Sequence, residues 1–216
     1  MSDLYFDEEL HRYYLNGEEL PSVTRILKPL NDFYGIPPEV LQHAADRGTA
    51  IHKAIELYVQ GTLDEDSLCD EIKPYFAGFK KFVAEKQPKF VMSEQRVYHP
   101  DMRYAGCLDL ALKMPSLYVI DVKNTAAISP SWAIQLLAYQ EAAIACPDTW
   151  TTSTEELGCA NRAVLWLKNT GKYQLVSFAK KDYARDLALF KTLLNAVHAE
   201  AKMHKAVEQG TRTKAK

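Results

Sequence analysis

The spacing of apolar residues along the chain predicts a protein that mixes helices and strands. Apolar positions three and four residues apart, typical of helices with one buried face, predict helices over about 46–60, 65–86, 129–146 and 181–208. Shorter apolar runs between turn-forming residues predict strands over about 90–98, 103–113, 117–123, 162–168 and 172–178. This order predicts an α/β fold with an antiparallel meander inside a mixed sheet, and not the regular alternation of a Rossmann or barrel fold.

The remaining segments predict a hairpin, a short helix and a loop. Asn16-Gly17 lies between Tyr13-Tyr14-Leu15 and the stretch from Glu18 to Leu20, which is a strong signal for a tight hairpin turn. The stretch from Pro21 to Thr24 leads into a predicted short helix, with Ser22 or Thr24 as its cap and Pro29 as its stop. Pro74 is expected to kink or restart the second long helix. The polar stretch 147–161 predicts an exposed loop. We expect a single domain over 1–216, made of a hairpin and short helix (1–30), a core (40–180) and a basic helix and tail (181–216).

Two adjacent strands each carry charged residues among apolar ones. In the strand 117–123, the period of two places Asp121 and Lys123 side by side on one face. In the preceding strand, the alternate leucines from Leu108 to Leu112 are expected on one face, which leaves Asp109 on the other. Because neighbouring strands of a meander pair, we expect Asp109 and Asp121 to converge with Lys123 beside them.

This arrangement indicates a chemistry that uses a cation. Two carboxylates held close together in a half-buried site repel each other unless a cation compensates them, and Mg²⁺ or Mn²⁺ with oxygen ligands fits that role. Such an ion can polarise a phosphodiester and activate a water molecule, while an adjacent lysine orients or deprotonates the nucleophile. Surface strands often carry an Asp-x-Lys pair, however, so this pattern is weak when it stands alone.

Five short motifs follow one another along the chain. They are Pro21-Ser22-Val23-Thr24-Arg25-Ile26-Leu27, Arg47-Gly48-Thr49-x-x-His52, Gly106-x-x-Asp109, Asp121-Val122-Lys123 and Gln135-Leu136-x-x-Tyr139. Together they resemble the PD-(D/E)XK nuclease superfamily, most closely its RecB-like exonuclease branch, and the first resembles the subgroup that includes the mitochondrial genome maintenance exonuclease and related phage proteins. The resemblance covers about residues 13–145 and implies a restriction-endonuclease-like αβββαβ core.

The resemblance implies a role for each matching residue in a metal-dependent active site. Asp109, Asp121, His52 and the backbone carbonyl of Val122 would ligate the metal. Lys123 would be the catalytic lysine.

Three further residues match the family less directly. Glu94 would be a further catalytic carboxylate that binds a second metal or positions water. Gln135 and Tyr139 would brace the site and approach DNA. From their own positions, His52 could equally be an ordinary helix histidine, Glu94 a plain strand carboxylate, and Gln135 and Tyr139 helix residues beside the core.

The charge of the chain is unevenly distributed. The net charge is −2, yet residues 168–216 hold 11 Lys/Arg against 4 Asp/Glu, so the rest of the chain is acidic. Such asymmetry indicates a polyanionic partner, although a solvated basic helix would give the same composition. If the partner is DNA, basic residues near the site should contact its phosphates. The candidates are Arg25, Arg47, Lys180, Lys181 and Arg185.

Other expectations concern cofactors and the location of the protein. The four cysteines form no Cys-x-x-Cys pair, and the cysteine pattern of the RecB-like relatives that bind an iron–sulfur cluster is missing, so we expect no such cluster. No segment is apolar enough to span a membrane, and the acidic N-terminus is unlike a targeting peptide. We expect a cytoplasmic protein of a bacterial or phage-infected cell, with no membrane partner.

The sequence therefore predicts a metal-dependent DNA exonuclease that acts on linear or single-stranded DNA in repair, recombination or phage replication. By the resemblance, its products would carry 5′-phosphates, and a single-strand annealing or binding protein is a candidate partner. Two alternatives remain open at this point. One is a structure-selective endonuclease on the same fold, and the other is a non-catalytic DNA-binding protein.

Overall fold

A mixed five-stranded sheet forms the centre of the protein. The computed structural model describes residues 4–31, 34–146 and 153–214, with side chains up to residue 207. The strands lie in chain order: β4 (Lys89–His99), β5 (Tyr104–Lys113), β6 (Leu117–Lys123), β7 (Asn161–Leu167) and β8 (Tyr173–Phe178). Only β6 and β7 run parallel, and the other neighbours are antiparallel. The predicted α/β class, meander and mixed sheet are confirmed.

The N-terminal segment forms a small sheet of its own. It contains β1 (Leu4–Asp7), β2 (Arg12–Leu15) and β3 (Glu18–Leu20), all antiparallel. The predicted turn between β2 and β3 is confirmed, with Asn16 and Gly17 both at positive φ (50° and 81°), as a two-residue hairpin loop of type I′ requires. This sheet packs on the central one through an apolar cluster that includes Tyr13 and Ala105.

Six α-helices accompany the strands in the described part of the chain. They are α1 (Val23–Ile26), α2 (Pro38–Gln60), α3 (Lys73–Lys86), α4 (Ser131–Ala145), α5 (Thr154–Gly158) and α6 (Tyr183–Lys214). None of these described helices is long and apolar enough to cross a lipid bilayer.

Helix boundaries are where the predictions fail most often. Helix α2 begins at Pro38 and not near residue 46, because proline suits the first helical turn and the exposed first half of the helix lacks an apolar stripe. The helix predicted over 65–86 is shorter than expected, because residues 65–67 form only a 3-10 turn and α3 begins at Lys73, with Pro74 in its first turn. Part of the predicted 147–161 loop is α5, capped by the Ser153 side chain, while 147–152 lie outside the described residues.

The two faces of the central sheet carry separate apolar clusters. Helices α1, α4 and α6 contribute to one cluster, and α2 and α3 contribute to the other. Leu108 packs in the first cluster whereas Leu110 and Leu112 pack in the second, so the prediction that all three share one face is wrong. The regular pairing of β5 with β6 ends at Leu110. The pleat is therefore interrupted next to Asp109.

Candidate active site

Four structural elements bring polar side chains together beside the interrupted strand. Helix α2 supplies His52, β4 supplies Glu94, β5 supplies Asp109, and the end of β6 supplies the backbone of Val122. His52 Nδ1 lies 3.1 Å from Glu94 Oε1 and 3.6 Å from Asp109 Oδ2. Its other ring nitrogen, Nε2, lies 3.1 Å from the carbonyl oxygen of Val122. The imidazole thus bridges three strands of the sheet.

The backbone at Glu94 is unusual for a strand. Its φ is +47°, in the left-handed region that costs a non-glycine residue about 1–3 kcal/mol. Its partner in β5 would be Asp109, but the regular register skips from the Ser93–Leu110 pair to the Gln95–Leu108 pair. The carboxylate receives compensating contacts from His52 at Oε1 and from the Cys107 thiol, which donates to Oε2 at 3.3 Å. This local strain accompanies a carboxylate directed at the site.

Asp109 continues the strand contact where backbone pairing has ended. Its Oδ2 accepts a 2.6 Å hydrogen bond from the backbone N–H of Val122, one residue past Asp121 on the neighbouring strand. The side chain therefore takes the place of a ladder hydrogen bond and fixes the separation between β5 and β6. Only 6% of the residue is exposed. A buried carboxylate with one backbone donor keeps its second oxygen for another partner.

Asp121 and Lys123 form an ion pair at the end of β6. Asp121 Oδ2 lies 2.7 Å from Lys123 Nζ, with 1% of the Asp121 side chain and 20% of the Lys123 side chain exposed. Among the described residues, none donates a hydrogen bond of good angular geometry to this aspartate oxygen, so the contact is mainly electrostatic. The lysine thus reaches from a buried carboxylate toward the opening of the site.

The electrostatics of the site follow from crowded carboxylates in a half-buried space. Burial raises the pKa of Asp109 to about 7, and the negative charges of Asp121 and Glu94 add to this effect against His52 and Lys123. Burial alone would lower the pKa of His52, but Asp109 and Glu94 outweigh it and raise that pKa to about 9. Burial is likewise outweighed at Lys123, where Asp121 and Asp109 raise the pKa. The protein therefore holds two cationic side chains among three carboxylates.

One group of side chains has the geometry of a metal site. One ligand atom from each of His52, Glu94 and Asp109 can lie within 4.8 Å of the other two, so these residues could hold a metal ion. The contacts of His52 support this fit. Its protonated ring lies between Glu94 and Asp109, where a positive charge balances the two carboxylates. Asp121 is outside this group and pairs with Lys123, and the Val122 carbonyl faces His52.

Gln135 and Tyr139 lie inside the protein rather than on its surface. They are 7% and 4% exposed, and Gln135 Nε2 donates to the Tyr139 hydroxyl at 2.9 Å. The Tyr139 ring packs directly on Gly106, where a Cβ atom would lie 2.5 Å from Tyr139 Cε1. Two of the motifs are therefore linked by a packing contact, which is the physical reason for a glycine at 106. Their contact with DNA stays a prediction.

The basic residues expected to contact DNA are not gathered in one place. Arg47 lies in α2, the helix that also carries His52, and its Nη1 is 3.4 Å from Glu71 Oε1. Arg25 pairs with Glu19 at 3.6 Å. The other three are Lys180, Lys181 and Arg185.

The group of Lys180, Lys181 and Arg185 lies at the end of the sheet opposite to Lys123. It follows β8, whose last residue, Phe178, pairs with Arg162 near the start of β7. Lys123 instead pairs with Trp166 near the end of β7. Residues 162 and 166 are separated by about 13 Å at 3.3 Å per residue. Arg185 is in addition bound to Asp182 and Asp186.

Sequence reasoning missed two residues that border the site. Tyr13 of the N-terminal sheet is 5% exposed, and burial together with the charges of Cys107, Glu94 and Asp109 raises its pKa well above the usual range, against Arg96. Trp166 donates from Nε1 to the carbonyl of Thr125 at 2.7 Å and so fixes the loop that follows Lys123. No local motif marks either residue, because both contacts join distant parts of the chain.

No protein-family model matches the chain, and no curated protein sequence is significantly similar to it.

Proposed function

We propose that the chain is a metal-dependent deoxyribonuclease with a PD-(D/E)XK active site on a restriction-endonuclease-like core. Its reaction is the hydrolysis of phosphodiester bonds in linear or single-stranded DNA, as an exonuclease that leaves 5′-phosphates. The proposal rests on one observation above all. The Asp121–Lys123 ion pair lies on the strand adjacent to Asp109, beside a His52, Glu94 and Asp109 group that could hold a metal.

The donor set favours a hard divalent cation. Two carboxylates, an imidazole and a nearby backbone carbonyl suit Mn²⁺ or Mg²⁺ better than they suit a thiophilic ion. Glu94, Asp109 and His52 would hold the ion, which supplies Lewis acidity and positive charge to a bound phosphodiester. Binding requires His52 to release the proton that it carries in the metal-free protein, because a metal ligand must present a free ring nitrogen.

Lys123 acts as a cation and not as the base. Burial lowers the pKa of Lys123, but Asp121 and Asp109 outweigh it and raise that pKa, which favours the ammonium form in the metal-free protein. A protonated lysine orients an attacking water or stabilises the negative charge that develops on the phosphoryl oxygens. Asp121 holds the ammonium from the buried side, and Lys123 is the more exposed member of the pair.

A single degradation assay tests the proposal. End-labelled linear single-stranded DNA, linear duplex and a closed circle are incubated with Mg²⁺ or Mn²⁺ and, separately, with a chelator. Lys123→Gln and Asp121→Asn should abolish metal-dependent loss of linear DNA. The matched controls Lys89→Gln and Asp101→Asn change the same charges at exposed positions and should keep wild-type activity.

The outcomes separate three functions. Loss of linear DNA alone supports the exonuclease, and nicking of the circle indicates an endonuclease on the same fold. Wild-type protein that shifts DNA on a gel but never degrades it, with or without metal, contradicts the nuclease proposal and favours a binding protein.

A further inference from the structure

A lysine-lined groove lies at the same end of the central sheet as Lys123. Its open volume is about 490 Å³, and it lies between the C-terminal part of α3 and the start of β8. We call it the lysine groove. It is lined by Lys81, Glu85, Lys86, Lys172, Tyr173, Gln174 and Leu175.

The sheet register fixes the position of this groove relative to the site. Lys123 pairs with Trp166 across the parallel contact, and Trp166 pairs with Gln174 across the next strand. Neighbouring strands are about 4.8 Å apart, so the Lys123 and Gln174 backbones are about 10 Å apart.

The two walls of the groove are fixed to each other. The Tyr173 hydroxyl donates to Glu85 Oε2 at 2.6 Å, which ties β8 to α3. The turn before β8 rests on the same helix so closely that a Cβ atom at Gly78 would lie 2.8 Å from the Lys172 carbonyl oxygen. The groove therefore presents its charges from a preformed surface, so binding does not have to order it first.

The groove has a net positive charge, and two of its three lysines have no ion-pair partner among the described residues. Three lysines face one glutamate, and Lys81 lies 3.8 Å from that Glu85. Lys86 and Lys172 are exposed, and within the described part of the chain neither has a carboxylate within 4.0 Å. By contrast, Lys180 donates to the Cys159 carbonyl at the other end of the sheet.

We propose that the lysine groove binds backbone phosphates of the DNA strand on one side of the scissile bond, with Lys86 and Lys172 as the main contacts. This rests on the proposed nuclease function and adds the path of its substrate. It assigns the DNA contact of the basic C-terminal part to the β7–β8 turn, and not to the residues at the start of α6. The contact is independent of base sequence, because lysines on phosphates read charge alone.

The test measures binding of a labelled single strand to protein that cannot cleave it. In the Lys123→Ala background with Ca²⁺, fluorescence anisotropy gives the affinity over a series of salt concentrations. The logarithm of the binding constant falls as the logarithm of the salt concentration rises. Adding Lys86→Gln and Lys172→Gln should make this fall less steep by about 1.4, because two phosphate contacts are lost at about 0.7 each. Oligonucleotides of about twelve nucleotides, which are long enough to reach the groove from the site, should distinguish the two proteins.

A charge-matched control uses the same helix. Lys73→Gln with Lys80→Gln also removes two exposed positive charges from α3, at residues that pair with Asp70 and Glu65 outside the groove. This control should leave the slope unchanged. An equal fall in slope for the control, or no fall for the groove variant, overturns the groove proposal.

The same experiments keep the two proposals apart. If wild-type protein degrades linear DNA while the groove variant keeps the full slope, the groove proposal alone fails. If no DNA is degraded under any metal condition but the groove variant loses slope, the groove binds DNA and the nuclease proposal alone fails.

Discussion

Two buried ion pairs lie at opposite ends of the central sheet. Arg162 and Asp186 join the start of β7 to α6, with 2% and 4% of their side chains exposed. Asp121 and Lys123 lie at the end of β6, where the lysine side chain is 20% exposed. Both pairs bring opposite charges together inside an apolar sheet, yet their surroundings differ.

The Arg162–Asp186 pair is closed by other protein groups. Arg162 Nη1 also donates to the Ala133 carbonyl at 3.1 Å, its guanidinium packs over the Tyr183 ring, and Arg185 binds the second oxygen of Asp186. The Asp121–Lys123 pair has no comparable enclosure, and further carboxylates crowd around it. A pair enclosed by partners fixes a helix, whereas a pair that lies beside a group able to hold a metal, with its lysine partly exposed, is placed for chemistry.

The largest expected effect tests this contrast through activity. Asp121→Asn should lower the rate of DNA degradation by at least about 10²-fold, because Lys123 loses the charge that positions it. The unfolding temperature should change little or rise, since one carboxylate of a crowded group is neutralised. Steady-state degradation rates and thermal unfolding of the metal-free protein measure both. A large loss of stability would make this pair structural, like the other.

The opposite pair should respond in the reverse way. Asp186→Asn leaves the Arg162 guanidinium buried without a counter-charge, which costs about 3–5 kcal/mol of unfolding free energy. Activity per folded molecule should stay at the wild-type level, because the pair lies far from Lys123. Denaturant unfolding, together with degradation rates at a temperature where the variant is folded, checks both statements. Loss of activity in the fully folded variant would link the two ends of the sheet.

A smaller effect is expected at the glycine beneath the site. Gly106→Ala forces a Cβ atom into the Tyr139 ring and should cost about 1–3 kcal/mol through overpacking. Gly158→Ala is the matched control, since no atom lies within 4 Å of the added carbon. Combining Gly106→Ala with Tyr139→Ala should give a smaller loss than the sum of the two single losses. Strict additivity would show that the ring does not press on residue 106.

The contrast also explains which parts of the molecule were predictable. Asp121 and Lys123 share a face because the strand pleat is local, so their neighbourhood follows from a spacing of two. The position of Asp109 was expected for a partly wrong reason. The alternation of side chains between the two sheet faces is interrupted beside Asp109. Its carboxylate accepts a hydrogen bond from the backbone of Val122 at a point where the regular pairing of β5 with β6 has ended.

Long-range features were the least predictable. The left-handed backbone of Glu94 depends on the partner strand, and a sequence has no mark for it. Composition indicated a basic C-terminal part, but only the register shows that Lys172 is at the end of the sheet near Lys123 while Lys180 is at the other. The number of charged residues in a segment does not show at which end of a sheet those residues lie.

The smallest expected effect concerns the charge of His52 in the metal-free protein. Its imidazole should titrate near pH 9 and not near 6.5, because Asp109 and Glu94 stabilise the protonated ring more than burial opposes it. Since the folded pKa exceeds the unfolded one, this group's contribution to stability is complete below about pH 6.5 and is lost as the pH rises through about 9. NMR titration of the histidine ring protons in chelator measures the shift.

Glu94→Gln provides the control for that titration. It removes one of the two carboxylates and the hydrogen bond to Nδ1, so the pKa of His52 should fall toward its ordinary value while Asp109 keeps part of the shift. If the His52 pKa is the same with and without the Glu94 charge, the carboxylates do not act on the imidazole together, and the group loses its electrostatic argument for holding a cation.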